Sequence, residues 1–439
     1  MLEILSNLIK NKRVLVLGYG MEGRSSYKLL CEVGGFAELH IADVNPPKDV
    51  PDCKVISGAE YLDAIDDYDI TFKSPGIALP RNHSEYKSKI TSQTEVFLQA
   101  YRKQVIGITG TKGKSTVSSL LYHVLSKNNV PCIFAGNIGK PVFDIVSMIE
   151  PETTVVLELS CHQLDYCGFS PGAAVYLNLY QDHLDYYGTF EKYAATKKNI
   201  YLHQEQSDVL YCTEGVKPGT QENRPPVFQS ECVSKIITVD ETILPFKSFD
   251  ELQGVRLHGK HNLVNAAFVY SIAKTYGVAD DKFVSALQSY TPLRHRLEFV
   301  GKVNGVDYYD DSISTTVESA ISAIEGISNA STILLGGMDR GIDYTKLINF
   351  LPDCKITNIV CMYESGKRVF ELCKESVGFA NKNKDLSYHE DIYKAVEYAK
   401  KVSQAGSACL LSPASASYGD FKNFEERGDV FQELINKEE

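Results

Sequence analysis

A glycine-rich stretch at Gly107–Thr116, GITGTKGKST, has the residue types and spacing of a phosphate-binding loop. It lies between a short apolar run, which predicts a buried strand, and Val117–Leu125, which predicts a helix. Glycines let the backbone turn several N–H groups toward one point at a helix N-terminus, where a phosphate is stabilised. Lys114 would reach the outer phosphates, and the Ser115 hydroxyl would ligate Mg²⁺. The first glycine of the general pattern falls on Ile108, yet the strand–loop–helix context is the required one, so we expect a nucleoside triphosphate site.

A second glycine pattern, GYGMEG at Gly18–Gly23, follows a predicted strand at Arg13–Leu17 and opens a predicted helix. Asp43 follows the next predicted strand, at the distance that the dinucleotide fingerprint requires for a ribose-binding carboxylate. A helix N-terminus with a following carboxylate can bind any ligand that has a phosphate group and a nucleoside. Both NAD and a UDP-sugar are such ligands. Further on, Ser74-Pro-Gly76 ends a strand in a turn that is suited to close backbone approach.

Polar side chains follow several predicted strands in the middle of the chain. Asn137 lies in a glycine turn, Glu158 ends a buried strand, and His183 lies in the loop QDHLD. Ligands of open α/β sheets bind at the carboxyl ends of the strands, and a carboxylate with a histidine suits a divalent metal. A structural role for His183 stays open on this pattern. Lys197 and Lys198, judged by composition alone, are surface lysines.

The composition excludes several classes of protein. The chain has 439 residues, of which 44% are hydrophobic and 23% charged, as in a soluble globular protein of two or three domains. The net charge of −11 argues against nucleic-acid binding. Eleven cysteines without CxxC pairs predict mostly buried thiols in a reducing compartment, and neither disulfides nor a zinc site. The N-terminus lacks a signal-peptide pattern and no run is long enough to span a membrane, so a cytoplasmic location is expected.

The order of predicted elements indicates an α/β fold of three domains. Strand, glycine turn and helix recur along the chain, which is typical of mostly parallel sheets. We expect a Rossmann-like nucleotide-binding domain at 1–102, a P-loop ATPase-like central domain at 103–293 and a Rossmann-like C-terminal domain at 294–439. The polar stretch Thr213–Cys232 is expected to be a loop.

Eleven blocks in order resemble the Mur ligases, the ATP-dependent amino-acid-adding enzymes of peptidoglycan synthesis. The blocks cover nearly the whole chain and read GYGMEG, SPGI, GTKGKST, GNIG, ELSCHQ, QDHLD, GKHNLVN, RHRLE, DDS, LLGGMDRG and SPASASYGDFKNFEERG. The closing FKNFEERG is the most specific one for the branch that adds D-glutamate. The resemblance implies a carboxylate–amine ligase that adds D-glutamate to UDP-N-acetylmuramoyl-L-alanine through an acyl phosphate, with release of ADP and phosphate.

The resemblance also implies roles for individual residues, and it replaces NAD by UDP in the first domain. The residues facing the UDP-substrate would be Gly18, Gly20, Gly23, Asp43, Ser74, Gly76, Asn137, Ser160, Gln163 and His183. Those holding ATP would be Gly110, Thr111, Lys112, Gly113, Lys114, Ser115, Thr116, Asn265, Arg296 and Asp311. Glutamate would lie against Thr315, Arg340, Ser417 and Phe424. Catalysis would depend on Lys114, Glu158, His183 and Lys197, with two Mg²⁺ ions held by Ser115, Glu158, His183 and a carbamylated Lys197.

Two departures from the family pattern stand out. Where many of these ligases read DSKATN, this chain has Asp311-Ser-Ile313-Ser-Thr315-Thr316, so an apolar residue replaces a lysine expected near the acceptor. An L-glutamate-adding variant is therefore the first alternative. The pair Cys161-His162 in ELSCHQ is also unusual, and the pattern assigns it no role.

The remaining expectations concern partners and weaker alternatives. The partners implied are the two small-molecule substrates, with neither nucleic acid nor membrane, and a monomer is expected. Substrates bound on different domains imply domain closure, which would exclude water from the acyl phosphate. A Rossmann oxidoreductase, suggested by residues 18–43 alone, and a non-catalytic nucleotide-binding module are the less favoured alternatives.

Overall fold

The structure is a computed structural model that describes residues 1–45, 53–180, 183–213, 232–257, 259–379 and 382–437. Gln181 and Asp182 of the QDHLD block, and residues 214–231 of the predicted loop, lie outside these ranges. The chain divides into two compact units. The first comprises Met1–Lys247 and Val264–Leu287, and the second comprises Ser248–Leu263 and Gln288–Glu439. The polypeptide thus passes from one unit to the other three times.

The first sheet of the first unit is parallel throughout and has the strand order β3-β2-β1-β4-β5. Its first strand is the apolar run RVLVL, whose last four residues are all buried, as expected for a strand covered on both faces. The strands are β1 (Arg13–Leu17), β2 (Glu38–Asp43), β3 (Val55–Ser57), β4 (Ile70–Lys73) and β5 (Lys89–Thr91). The helices are α1 (Leu2–Ile9), α2 (Met21–Val33) and α3 (Gln93–Tyr101).

The second sheet of this unit is also parallel, with the order β11-β10-β9-β6-β8-β7. The strand that precedes the glycine-rich loop is β6, which lies in the middle of the sheet between β9 and β8. The strands are β6 (Val105–Thr109), β7 (Cys132–Gly136), β8 (Thr154–Glu158), β9 (Ala173–Tyr176), β10 (Val209–Cys212) and β11 (Lys235–Thr238). The helices are α4 (Lys114–Lys127), α5 (Cys161–Leu164), α6 (Leu184–Tyr187), α7 (Phe190–Lys198), α8 (Lys260–Thr275) and α9 (Asp280–Ser289). The first turn of α8 and the last two residues of α9 belong to the second unit.

The second unit holds a mixed sheet with the order β12-β13-β17-β14-β15-β16, in which only the β12–β13 pair is antiparallel among the described strands. The strands are β12 (Glu298–Val303), β13 (Val306–Asp310), β14 (Ala330–Leu335), β15 (Asn358–Met362), β16 (Asp385–His389) and β17 (Ala408–Leu411). The helices are α10 (Val317–Gly326), α11 (Thr345–Phe350), α12 (Tyr363–Glu375), α13 (Ile392–Val402) and α14 (Phe424–Asn436). Short 3-10 turns among the described residues of both units lie at Asp63–Asp67, His83–Glu85, Arg102–Gln104, Val142–Met148, Glu241–Ile243, Phe249–Glu251 and Leu351–Asp353.

The apolar cores follow the sheets. In the first unit one cluster runs from the first sheet to the second, and Phe72 meets Phe143 edge to face with ring centroids 6.4 Å apart. In the second unit Ile333 belongs to one cluster and its neighbour Leu334 to another. Because successive strand residues point to opposite faces, these two clusters are the cores on the two sides of the third sheet.

The structure confirms the predicted α/β fold with mostly parallel sheets. The helix after the glycine-rich loop begins at Lys114 and not at Val117, so the loop lysine lies in its first turn. The antiparallel edge strand β12 was not predicted from the sequence. The boundaries near residues 102 and 293 stay predictions. Within the described ranges, every helix is too short or too polar to cross a lipid bilayer.

Candidate active site

The glycine-rich loop joins the central strand β6 to α4. Gly110 and Gly113 have φ of 156° and 85°, a region that favours glycine. A Cβ at Gly113 would come within 2.7 Å of the Asn265 Oδ1, so this glycine lets α8 approach the loop. The Lys114 ammonium donates to the carbonyls of Gly110 and Thr111 at 2.9 and 3.1 Å. The loop therefore holds its cation at the helix N-terminus, where phosphate oxygens bind.

Other loop contacts fix the predicted ATP residues. The amide of Asn178 clamps Lys112, since its Oδ1 accepts from the Lys112 N–H at 2.8 Å and its Nδ2 donates to the Lys112 carbonyl at 2.9 Å. The Thr111 hydroxyl lies 2.9 Å from the hydroxyl of Tyr193. Ser115 and Thr116 are buried in the first turn of α4.

Glu158 ends β8, where the parallel register places it beside Ile108 of β6. Its side chain is fully buried, and its two oxygens accept from Asn137 Nδ2 at 2.8 Å and from the Ser118 hydroxyl at 3.3 Å. The Ser115 hydroxyl and this carboxylate are hard oxygen donors near the phosphate loop, which is the ligand type that Mg²⁺ prefers. The donor set present fits a magnesium ion.

Lys197 of α7 is 1% exposed, so the surface position suggested by its composition is wrong. Its ammonium donates to the Gly110 carbonyl at 2.9 Å and lies 5.1 Å from the centre of the Tyr193 ring. Thr109 Oγ1 is 3.4 Å away. A lysine from another helix is thus built into the base of the phosphate loop.

His183 lies on the loop before α6 with φ of 52° and is exposed. Its ring packs edge to face against His162, with centroids 4.9 Å apart, and lies 6.0 Å from the Tyr193 ring. Tyr193 also bonds Thr111, so His183 adjoins the wall of the phosphate loop through this tyrosine.

A cavity of about 410 Å³ opens at the carboxyl ends of β1, β2 and β4 in the first sheet. Such a volume suits a small-molecule ligand. Among the predicted UDP-site residues, those that line it are Gly18, Gly20, Asp43, Ser74 and Gly76. Gly23 instead serves close packing, because a Cβ there would lie 1.9 Å from the Gly18 carbonyl oxygen.

Asp43 organises the glycine turn at this cavity. Its two oxygens accept from the backbone N–H groups of Tyr19 at 2.7 Å and Asn45 at 2.9 Å. The Ser74 hydroxyl donates to the Gly18 carbonyl at 2.9 Å. Each carboxylate oxygen has a further acceptor position, which leaves capacity for a ribose hydroxyl.

A buried polar network adjoins the cavity, and the sequence analysis did not find it. Glu22, in the first turn of α2, accepts from Gln163 Nε2 at 2.7 Å and from Gln93 Nε2 at 2.8 Å. Burial raises the pKa of Glu22 against these hydrogen bonds. Burial also lowers the pKa of Lys73 to about 8, although Asp165 and Glu22 act in the opposite direction. The network links the predicted residue Gln163 to the cavity wall.

Of the remaining predicted substrate residues, Ser160 caps α5. Its hydroxyl accepts from the Gln163 N–H at 3.2 Å, while Gln163 Oε1 accepts from the Ser160 N–H at 3.0 Å. This capping box fixes the helix start at which the two side chains lie.

In the second unit, Asp311 follows β13 and is buried. It accepts from the Leu297 N–H at 3.1 Å, the Ser412 hydroxyl at 2.8 Å and the Ser314 hydroxyl. Burial raises its pKa to about 6, against these hydrogen bonds and the positive charge of Arg296. The predicted ATP residues Arg296 and Asp311 are therefore electrostatic neighbours.

The predicted glutamate residues lie on loops at the carboxyl ends of β13, β14 and β17 and at the start of α14. Arg340 is exposed, and its guanidinium carbon lies 5.2 Å from the centre of the Tyr418 ring. Ser417 is 4% exposed and Thr315 is half-buried. The carbonyl of Phe424 accepts from the Ser312 hydroxyl at 2.7 Å.

Arg427 of the FEERG block holds this region together, and sequence reasoning missed it. Its guanidinium is fully buried and donates to Ser312 Oγ at 3.0 Å and to the Ser312 carbonyl at 2.7 Å. It also donates to the carbonyls of Ser415 at 3.1 Å and Ala416 at 3.3 Å. The arginine thus fastens the loop after β13 to the loop that carries Ser417.

The fold and the site define a P-loop protein of the α/β class with a separate cavity of about 410 Å³ at the first sheet. Residues 108–218 match the Mur ligase middle domain. The chain is 33% identical over 461 residues to the UDP-N-acetylmuramoylalanine–D-glutamate ligase of Streptococcus agalactiae, with 96% of both chains covered. It is 28% identical over 450 residues to the ligase of that name from Clostridium botulinum, with 98% of both covered. The chain belongs to the Mur ligase family.

A solved structure supports the same fold. The MurF ligase of Thermotoga maritima, in complex with ADP, matches with a TM-score of 0.55 at 17% identity and covers 99% of both chains. The predicted family resemblance is confirmed, and the chain is an ATP-dependent ligase that forms an amide bond. The oxidoreductase and the non-catalytic module are not favoured by these matches.

Proposed function

We propose that this enzyme joins D-glutamate to UDP-N-acetylmuramoyl-L-alanine during the synthesis of peptidoglycan precursors. The observation that carries the proposal is a phosphate loop with a buried carboxylate and a nucleotide-sized cavity in the same compact unit. The names of relatives that match nearly the full chain support the choice of D-glutamate. We place the enzyme in the cytoplasm, because UDP-linked and ATP substrates are cytoplasmic compounds, and we expect it to act as a monomer.

The first step is phosphoryl transfer. The carboxylate of the alanyl substrate attacks the γ-phosphorus of ATP, the bond to the β,γ-bridging oxygen breaks, and acyl phosphate and ADP form. Both reactants are anionic, so their repulsion must be cancelled. Lys114 lies at the N-terminus of α4, where its ammonium and the backbone N–H groups neutralise phosphate charge.

The bound metal and a modified lysine complete this part of the proposal. Mg²⁺, held by Ser115 at one site and by Glu158 and His183 at another, would supply charge neutralisation for the transferred phosphoryl group. We propose that Lys197 is carbamylated, because a carbamate is an anion with oxygen donors, whereas an ammonium repels a metal ion. Its burial against Gly110 supports the proposal, since the side chain already lies at the base of the loop.

The second step is amide formation. The amine of glutamate attacks the acyl carbon, and the tetrahedral intermediate expels inorganic phosphate as the amine loses a proton. Arg340 can donate two hydrogen bonds to one carboxylate of glutamate. The other carboxylate can bind to Ser417, Thr315 and the Phe424 backbone. Asn265, Arg296 and Asp311 hold ATP, while Asp43 and the glycine turn at Gly18 hold the UDP group.

The test is phosphate release from ATP in the presence of UDP-N-acetylmuramoyl-L-alanine, with D-glutamate and L-glutamate compared in parallel. Turnover with D-glutamate alone supports the proposal and shows that Ile313 is tolerated at the position where the family pattern has a lysine. Turnover with L-glutamate alone overturns the stereochemical choice but keeps the ligase chemistry. Absence of turnover with both acceptors, in a protein that still binds ATP, overturns the substrate assignment.

A further inference from the structure

Three side chains with nitrogen or sulfur donors converge beside the proposed magnesium ligands. Cys161 and His162 are the first two residues of α5, and His183 lies on the loop before α6. One ligand atom of each of the three lies within 4.8 Å of the others. Cys161 is buried, His162 is half-buried and His183 is exposed, so the cluster is anchored inside and open on one side.

We propose that Cys161, His162 and His183 form a binding site for a soft divalent cation such as Zn²⁺, and that its occupation inhibits the ligase. A thiolate and two imidazoles are the ligands that Zn²⁺ prefers, whereas Mg²⁺ prefers oxygen. With Zn–S near 2.3 Å and Zn–N near 2.1 Å, tetrahedral ligand atoms lie about 3.5 Å apart. Small side-chain rotations bring the three donors from their present separation to that distance.

The surroundings support ligation by these side chains. The Tyr187 hydroxyl is hydrogen-bonded to the Cys161 thiol and lies 3.4 Å from Nδ1 of His162. The Tyr187 ring stacks on His162 at an interplanar angle of 7°, and Tyr186 packs edge-on with centroids 4.4 Å apart. Such contacts orient metal ligands from outside the coordination shell. Three protein ligands leave a fourth position for water.

Inhibition follows from the shared histidine, and this part rests on the proposed function. His183 is assigned to Mg²⁺ together with Glu158, and a neutral imidazole offers a single lone-pair nitrogen, so it ligates one of the two ions at a time. Zn²⁺ bound to Cys161 and His162 would therefore draw His183 away from the oxygen donors. The site would make this ligase sensitive to zinc in a way that depends on Cys161.

The binding test uses the full chain without substrates. Equilibrium dialysis against ZnCl₂ is expected to give one tightly bound ion, and Cys161→Ser is expected to weaken that binding by at least the roughly 10–100-fold that loss of an outer-shell partner costs, because Cys161 is a direct ligand. Co²⁺ in place of Zn²⁺ is expected to give a thiolate charge-transfer band that Cys161→Ser removes. His162→Phe, which keeps the ring packing, serves as the second ligand variant, and Cys31→Ser at an exposed thiol is the control. Equal zinc affinity in wild type and both ligand variants would overturn the site.

The activity test is separate from the binding test. With Mg²⁺ alone, Cys161→Ser is expected to turn over like wild type, and this arm tests only the ligase assignment. With added ZnCl₂, wild type and Cys31→Ser should lose activity that a chelator restores, while Cys161→Ser should keep it. Equal loss of activity in Cys161→Ser would overturn the inhibitory role even if the ion binds.

Discussion

Replacing Arg427 by methionine tests how the acceptor loops of the second unit are held. The side chain is fully buried and donates to the carbonyls of Ser312, Ser415 and Ala416. Three carbonyls that lose their partner cost about 1–3 kcal/mol each. Burial lowers the pKa of Arg427 to about 10, which corresponds to a cost of about 3 kcal/mol for keeping the charge buried. The uncharged methionine avoids this cost. We expect a net loss of about 3 kcal/mol in the free energy of unfolding of the second unit.

Differential scanning calorimetry of the full chain measures this loss. A domain of this size shifts by about 2–4 °C per kcal/mol, so the transition should fall by about 6–12 °C. Kinetics should show a raised KM for glutamate and an unchanged KM for the UDP-substrate, because Ser417 lies next to the released carbonyls. Arg294→Met is the control, since this exposed arginine pairs with Asp429 at 2.5 Å and should change stability by less than about 1 kcal/mol. A transition temperature for Arg427→Met within about 1 °C of wild type would show that these hydrogen bonds do not stabilise the second unit.

Three further predictions concern the nucleotide site. Lys197→Ala should lose nearly all turnover and regain part of it with added short-chain carboxylates, since these replace a carbamate; full activity without rescue would exclude carbamylation. Asp311 has a folded pKa of about 6 against about 3.9 unfolded, so the native state binds more protons between these values and loses stability as pH rises through them. Urea unfolding at pH 4 to 6 should show this loss in wild type and a smaller one in Asp311→Asn; parallel pH profiles would contradict it. Gly113→Ala should raise the KM for ATP and cost about 1–2 kcal/mol, because φ is 85° and the new Cβ meets Asn265. Gly188→Ala, with φ of 75° and open space, should cost similar stability and leave the KM for ATP unchanged.

Local patterns predicted the parts of the site that are local in the chain. The phosphate loop is one continuous stretch between β6 and α4, so the spacing of its glycines in the sequence is enough to predict it. Glu158 could be placed because a strand end in a parallel sheet points to a ligand edge, and β8 does pair with β6. The antiparallel strand β12 escaped prediction because Gly301 interrupts its apolar residues at a register shift in the pairing.

Contacts between distant segments could not be predicted. The buried position of Lys197 depends on the carbonyl of Gly110, 87 residues earlier, and its own helix reads as polar. The histidine His183 joins Cys161 and His162 only after α6 and α5 have packed beside each other. The role of Arg427 depends on a carbonyl 115 residues away. In each case the contact that gives the residue its role forms by tertiary packing. No periodicity or motif near the residue in the sequence indicates it.

The three crossings of the chain between units have a consequence for how the protein is made. The first unit receives Val264–Leu287, which holds most of α8 and α9, only after residues 248–263 of the second unit have been synthesised. Residues of this late segment contact α4 and β8, which are synthesised much earlier. The ring of His123 lies 3.1 Å from the Ala286 carbonyl, and the Thr154 hydroxyl lies 3.2 Å from the Tyr276 hydroxyl.

A nascent chain that ends at Lys247 therefore holds both parallel sheets but lacks one wall of the nucleotide-binding sheet. Vectorial synthesis cannot finish this unit before its neighbour has begun. We therefore expect a fragment that ends at Lys247 to be less stable than the same fragment extended through Leu287.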